Sequence, residues 1–412
     1  MSEKGESIEL KEPLVGTTMS LVVLPEVEDE LTHYKEFMSQ GLFEMPELPR
    51  IVSHNLEILD STETSVLSER DKQYLERVRN FLHETWGRYR DRFEAIKTAQ
   101  SSLAIIHSCL HRDNIRVLDE KSDIPMPLKD FRNIIADKLK TCVGPTVVIS
   151  ESHVTTFPLV QELKNSLSPN ARIGLIVFDT HIDVFGGGRV PHKINVLRQL
   201  LKGHDSATGK TWIHRATVIG SPESLLRLSK GERSDPEKFS PRLRIIGEKD
   251  FDRSSAHAVM AKEVVEFKKA GVDHIMISVD ADVLRSRKLQ YTGAEYNPLH
   301  ALLWFGQSSL EAFRQDSLGL VSRLRYDNLQ LPSVLYEPEL LGGRGLSLGD
   351  LGIVIDVIKV ETKSKGIKFG IPIGQAVVLG DIVELSGPDI GGNTTKAVLS
   401  LANRISELGE KQ

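Results

Sequence analysis

The chain has 412 residues, 52 basic and 57 acidic side chains, a formal charge of -5, and 40% apolar and 26% charged residues. That composition describes an ordinary globular protein, long enough for a sizeable core and for one large domain or two to three smaller ones. It speaks against a disulfide scaffold or a cysteine metal site, because only Cys109 and Cys142 are present, and against a nucleic-acid partner, whose phosphates call for a basic face.

No stretch reaches the ~18 uninterrupted apolar residues of a membrane helix. Met1 to Glu12 is charged and lacks the apolar run of a secretory signal. The expectation is a cytoplasmic protein with no membrane partner, beginning in a loose tail. Met19 to Pro25 reads as a short strand ended by proline. From Leu67 to Ile96 apolar residues recur at helical spacing (Tyr74, Leu75, Val78, Phe81, Leu82, Trp86), with Ser68 and Asp71 placed to cap the start. The arginines of this segment alternate with Glu76, Glu84, Asp91 and Glu94, which makes a solvated helix face rather than a nucleic-acid patch.

After residue 100 the pattern changes. Thr146 to Ile149, Ile173 to Phe178, Thr217 to Ile219, His274 to Val279 and Ala376 to Leu379 are continuous apolar runs, as in strands buried on both faces of a parallel sheet. Pro158 to Leu167, Asn195 to Lys202, Ala256 to Ala270, Ser347 to Val360 and Thr394 to Leu408 read as the helices between them. The alternation predicts an α/β fold with a mostly parallel central sheet, and in such sheets ligands bind at the carboxyl ends of the strands. Residues 285–338 read as an insertion with some helix of its own.

The residues just beyond those strands are distinctive. Ile173 to Phe178 runs into Asp179-Thr-His181-Ile-Asp183, His274 to Val279 into Asp280-Ala-Asp282, and Thr146 to Ile149 into Ser150-Glu151-Ser152-His153. A spacing of two on extended backbone puts side chains on one side. Four carboxylates in one crevice repel one another strongly unless a positive charge is present. Lysine or arginine would serve, but none is adjacent in sequence. Two divalent cations would neutralise the four charges and use both imidazoles, and mixed carboxylate and imidazole ligation suits Mn²⁺ and its neighbours.

These motifs resemble the ureohydrolases, the arginase and agmatinase family. Asp179-Thr-His181-Ile-Asp183 is similar to the family's Asp-Ala-His-x-Asp and Ser278-Val-Asp280-Ala-Asp282 to its Ser-x-Asp-x-Asp, while Val383-Glu384-Leu-Ser-Gly-Pro388-Asp389 is similar to its final strand and loop. The resemblance spans roughly Lys138 to Leu408. It implies a three-layer α/β/α fold and a binuclear manganese site, nickel in some members. It also implies a small guanidino substrate and a homo-oligomer, a trimer or hexamer. Carried over by position, His153, Asp179, Asp183 and Asp280 would hold one metal, and Asp179, His181, Asp280 and Asp282 the other. Asp183 would orient the nucleophile, and His192 would return a proton to the leaving amine. Asp350, in Gly345-Leu-Ser-Leu-Gly-Asp350, stands where the family's glutamate grips the guanidinium; Glu295 and Glu337 are candidates for a second amine of the substrate.

The sequence also departs from the family. Its Gly-Gly-Asp-His-Ser is Ser150-Glu151-Ser152-His153-Val154 here, and about 130 N-terminal residues match nothing in it. The expected division is a helix-rich N-terminal extension over 1–135 and a ureohydrolase-like catalytic domain over 136–412, with the insertion at 285–338. The expected activity is hydrolysis of a guanidino C–N bond to urea and an amine. Val184-Phe185-Gly186 stands where an arginase carries an asparagine-containing loop, which favours an agmatine-like or other small guanidine over arginine. An arginase, a formiminoglutamase and a catalytically silent metal-binding regulator or scaffold of the same fold are the alternatives.

Overall fold

A computed structural model describes residues 19–24, 27–28, 48–90, 105–106, 115–118, 126–184, 191, 195–203, 209, 211–221, 241–247, 250–251, 255–284, 309–328, 345–383, 385 and 393–407. In chain order its first elements are β1 (Met19–Val23), β2 (Val27–Glu28), α1 (Leu48–Ser61), α2 (Glu69–Tyr89), β3 (Ile115–Leu118), β4 (Met126–Pro127), α3 (Leu128–Thr141) and β5 (Val143–Ile149). Then come α4 (Thr156–Ser166), β6 (Ile173–Phe178), α5 (Val196–Lys202), β7 (Arg215–Ser221), β8 (Leu243–Gly247), α6 (Ala256–Lys269) and β9 (His274–Asp280). The last are α7 (Ser317–Asn328), α8 (Leu348–Lys365), β10 (Lys368–Phe369), β11 (Ile371–Ile373), β12 (Gln375–Val383) and α9 (Asn393–Ser406). No helix among the described residues is long and apolar enough to cross a membrane.

The chain forms two compact units. The first comprises Met1–Asp29, Gln100–Arg287 and Arg344–Gln412, the second Glu30–Ala99 and Lys288–Gly343. The apolar strand β1 pairs in parallel with both β3 and β5, so segments ahead of residue 136 complete the sheet of the first unit.

That sheet runs β3-β1-β5-β12-β9-β6-β7-β8, parallel throughout, with β10 beside β9 and β11 antiparallel to β12. Helices cover both faces, and β6 shows why its residues are all apolar. Ile176 and Phe178 lie in the core shared with α6 (Met260, Val264, Phe267), α8 (Val354, Ile355, Ile358) and α9 (Val398, Leu401). Ile173, Leu175 and Val177 point the other way, into the core built with α3 (Phe131, Ile135), α4 (Leu159, Leu163) and α5 (Leu197, Leu200). A strand with two hydrophobic neighbours must be apolar at every position. The result is the three-layer arrangement expected from the sequence.

In the second unit, α1 packs on α2. Ser68 caps α2, its hydroxyl accepting the Asp71 N–H at 3.2 Å. Asn55 of α1 is fully buried and accepts the Leu310 N–H at 3.2 Å, which ties the 310 segment to the helix pair.

Candidate metal centre

Four parallel strands, β5, β12, β9 and β6, stand side by side, so their carboxyl ends open at one edge of the sheet. Phe178 pairs with Val279 and Ile149 with Ile382. The residues just beyond each strand are therefore neighbours in space.

After β5, hydroxyl groups turn the chain. Ser150 Oγ donates to the Ser152 carbonyl at 3.1 Å and lies 2.5 Å from Thr155 Oγ1, which donates to the same carbonyl at 2.7 Å. This Ser-Glu-Ser segment does with buried hydroxyls what a Gly-Gly turn does with backbone freedom, and it places His153, buried, at the start of a 3₁₀ turn. After β6, the Asp179 N–H still bonds to Ile219 O at 3.0 Å, and Asp179 Oδ1 accepts the His181 N–H at 2.7 Å. Asp183 adopts φ 50°, a left-handed conformation rare for a side chain other than glycine. Its carbonyl accepts the Arg198 N–H of α5 at 3.1 Å. After β9, Asp280 Oδ1 accepts the Asp282 N–H at 2.9 Å. Gly220 at φ 112° lies against this edge, with the place of a Cβ 3.2 Å from Asp179 O and against Val283. The crossing of β7 past the site admits no side chain there.

The side chains converge. His153 Nδ1 lies 2.7 Å from Asp183 Oδ2, 3.3 Å from Asp179 Oδ2 and 3.5 Å from Asp280 Oδ2. His181 Nδ1 lies 2.9 Å from Asp282 Oδ2 and 3.5 Å from Asp179 Oδ1. Two groups able to hold a cation result, His153-Asp179-Asp183 and Asp179-His181-Asp282, each with its donor atoms within 4.8 Å of one another. Asp179, 1% exposed, is common to both. Asp280 approaches the first through His153. The first group is buried; the second is partly open, His181 and Asp282 being 22% and 13% exposed.

The electrostatics arise from this crowding. Burial works to lower the pKa of His153, yet Asp179 and Asp183 hold it well above its usual value; Asp282 and Asp179 do the same for His181. Burial, and then the charge of Asp179, push Asp183 up to about 7 against the opposing imidazoles. The described residues gather four carboxylates and two imidazoles in one small volume, where the carboxylates repel one another strongly unless positive charge is present. Divalent cations fit that donor set, since carboxylate oxygens and imidazole nitrogens are their ordinary ligands.

The other sequence candidates fare differently. Asp350 opens α8 in a capping box: its Oδ2 accepts from Ser347 N at 3.0 Å and Ser347 Oγ at 2.6 Å, while its own N–H bonds to Ser347 Oγ at 3.1 Å. The position expected to grip a guanidinium is thus engaged with its own helix and enters neither group. His192, Glu295 and Glu337 lie outside the described residues. Asp381 is the residue that sequence reasoning misses. It is 1% exposed inside β12, and its Oδ2 accepts from Thr156 Oγ1 at 2.7 Å. The available signal is an acid inside the apolar run Val377-Val-Leu-Gly-Asp381-Ile-Val383.

No family model matches the sequence, and no curated protein matches it. Solved structures similar to this chain include an Entamoeba histolytica arginase in complex with L-ornithine, at 12% identity and a TM-score of 0.44, covering 94% of this chain and 98% of that one. A formimidoylglutamase from Bacillus subtilis has 12% identity and a TM-score of 0.44, covering 76% of this chain and 82% of its own. An arginase from Bacillus subtilis has 12% identity and a TM-score of 0.43, covering 96% and 99%.

Proposed function

We propose that this chain is a metal-dependent hydrolase that cleaves a C–N bond of a small guanidino compound, giving urea and an amine. The observation that carries the reading is the meeting of His153-Asp179-Asp183 and Asp179-His181-Asp282 on a shared, buried Asp179 at the carboxyl ends of β5, β6 and β9. His153, Asp179, Asp183 and Asp280 would hold one cation and Asp179, His181, Asp280 and Asp282 the other, with Mn²⁺ or Ni²⁺ suited to the donors. Bound there, two such ions would supply Lewis acidity and a water of pKa near neutrality.

The protein's own residues do the rest. Asp183, aimed inward by its left-handed backbone, accepts a hydrogen bond from the attacking water and fixes its direction toward the trigonal carbon. The C–O bond forms, the C–N bond breaks, and the amine nitrogen leaves with a proton. His192 is assigned to deliver that proton, since an imidazole donates near pH 7. Val184-Phe185-Gly186 carries no asparagine side chain to read an α-carboxylate, which favours an agmatine-like guanidine over arginine.

The test is urea release by protein loaded separately with Mn²⁺ and Ni²⁺, from agmatine, arginine, guanidinobutyrate and guanidine, with formamide release from formiminoglutamate measured alongside. Urea from a guanidine lacking the α-carboxylate is the expected result. Firmly bound metal with no product from any of the five would overturn the hydrolase reading and leave a metal-binding regulator.

A further inference from the structure

We propose that Asp381 is a positioning residue for His153, a buried carboxylate that fixes the turn carrying this imidazole and thereby sets the metal affinity of the first group. The proposal rests on the metal-centre reading above.

Asp381 lies inside β12, paired in register with Val148 of β5 on one side and Ser278 of β9 on the other. It therefore sits one strand away from both ligand-bearing segments. Thr156, whose hydroxyl donates to Asp381 Oδ2, directly succeeds the His153–Thr155 turn and opens α4. On the other side, Ser278 precedes Asp280 by two residues and so shares its side of the strand. Ser278 Oγ and Asp381 Oδ1 are both buried without a hydrogen bond of ordinary geometry. An acid so placed inside a sheet destabilises the fold, and an apolar residue would serve packing better. What the acid gains is its place beneath the centre. Burial raises its pKa above the usual carboxylate range, against the Thr156 hydroxyl, the charge of His153 and the Ser278 hydroxyl. Hydrogen bonds that hold a ligand-bearing segment in place commonly raise metal affinity, and here the carboxylate acts on His153 through Thr156 and the turn it closes.

The experiment uses the full chain and Co²⁺ as probe, read by calorimetric titration and by the visible spectrum of the bound ion. Asp381→Asn keeps the shape and removes the charge; Thr156→Val keeps the charge and releases the tether. Both are expected to melt cooperatively, to bind the tighter-held Co²⁺ about 10- to 100-fold more weakly, and to shift its spectrum. A His153→Asn/Asp381→Asn double variant is expected to bind no more weakly than His153→Asn alone, because the two act as a unit. Thr156→Val carries the test if Asp381→Asn fails to fold. Unchanged affinity and spectrum in the variants, or additive losses in the double variant, overturn the assignment. Wild-type protein that takes up no Co²⁺ overturns the metal centre and this assignment with it, whereas wild-type uptake with unaffected variants overturns this assignment alone.

Discussion

Replacing Asp179 by asparagine removes one charge from both cation groups at once while keeping the shape and the oxygen that accepts the His181 N–H at 2.7 Å. With an effective dielectric constant of about 20, a unit charge pair at about 4 Å is worth ~4 kcal/mol. At 1.4 kcal/mol per decade, that is roughly a thousandfold loss of cation affinity. A cation present at a thousand times its dissociation constant stabilises the fold by about 4.1 kcal/mol; after a thousandfold weakening the same concentration gives about 0.4 kcal/mol. Thermal melts with and without Mn²⁺, paired with metal analysis after gel filtration, read this directly. The wild type should show a large Mn²⁺-dependent rise in Tm, and Asp179→Asn almost none. A variant that keeps the full Mn²⁺-dependent rise would refute the shared-carboxylate geometry.

The sheet that carries the centre leads to three further outcomes. Glu263, fully buried on α6, accepts from Thr217 at 2.9 Å, lies 3.6 Å from Arg215 Nη2, and is paired with Arg244. Glu263→Ala leaves Arg215 over the Phe267 ring without its anion and should lower the urea-unfolding free energy by about 3–5 kcal/mol; a loss under about 1 kcal/mol would show the network to be inert. Gly220→Ala combines a strained φ of 112° with a Cβ pressed on Val283 and Asp179 O, and should destabilise by about 2–6 kcal/mol and weaken Mn²⁺ uptake, whereas a wild-type melt would remove the close approach from the account. Burial holds the pKa of His274 below its usual value, with Lys368 acting the same way and the hydrogen bond to Gly370 O opposing. The unfolded chain then takes up that proton first, so stability present above about pH 6.5 is lost as pH falls. Between pH 7.5 and 5.5 the Tm of the wild type should fall further than that of His274→Gln, and equal falls would contradict the shift.

The parts of this fold that can be read from the chain are those where one physical demand acts alone. Ile173 to Phe178 is buried on both faces, so every residue is apolar and its limits match β6. The aspartates beyond it stand out because charge after such a strand has no packing explanation. Elsewhere two demands compete. The run Ala376 to Leu379 stops short because Gly380 and Asp381 look like a strand end, whereas β12 continues to Val383. The space for a Cβ at Gly380 is taken by the Ile277 carbonyl, where the pairing with β5 shifts register, and Asp381 is held by Thr156. The strand β8 is not legible because it is a short edge strand carrying Arg244, whose charge is met by Glu263 of the following helix α6. Helix α1 begins at Leu48-Pro49 and draws its support from α2 and the 310 segment, partners that no local pattern reveals. Asp350 fits both a substrate grip and a helix cap from sequence, and only the distances to Ser347 separate the two.

The most direct measurement is anomalous diffraction at the manganese edge from crystals grown with Mn²⁺. Two peaks about 3.5–4 Å apart are expected, one beside His153 and Asp183, the other beside His181 and Asp282, with Asp179 between them. No peak at this edge of the sheet, or a single peak that Asp179 does not touch, would contradict the account.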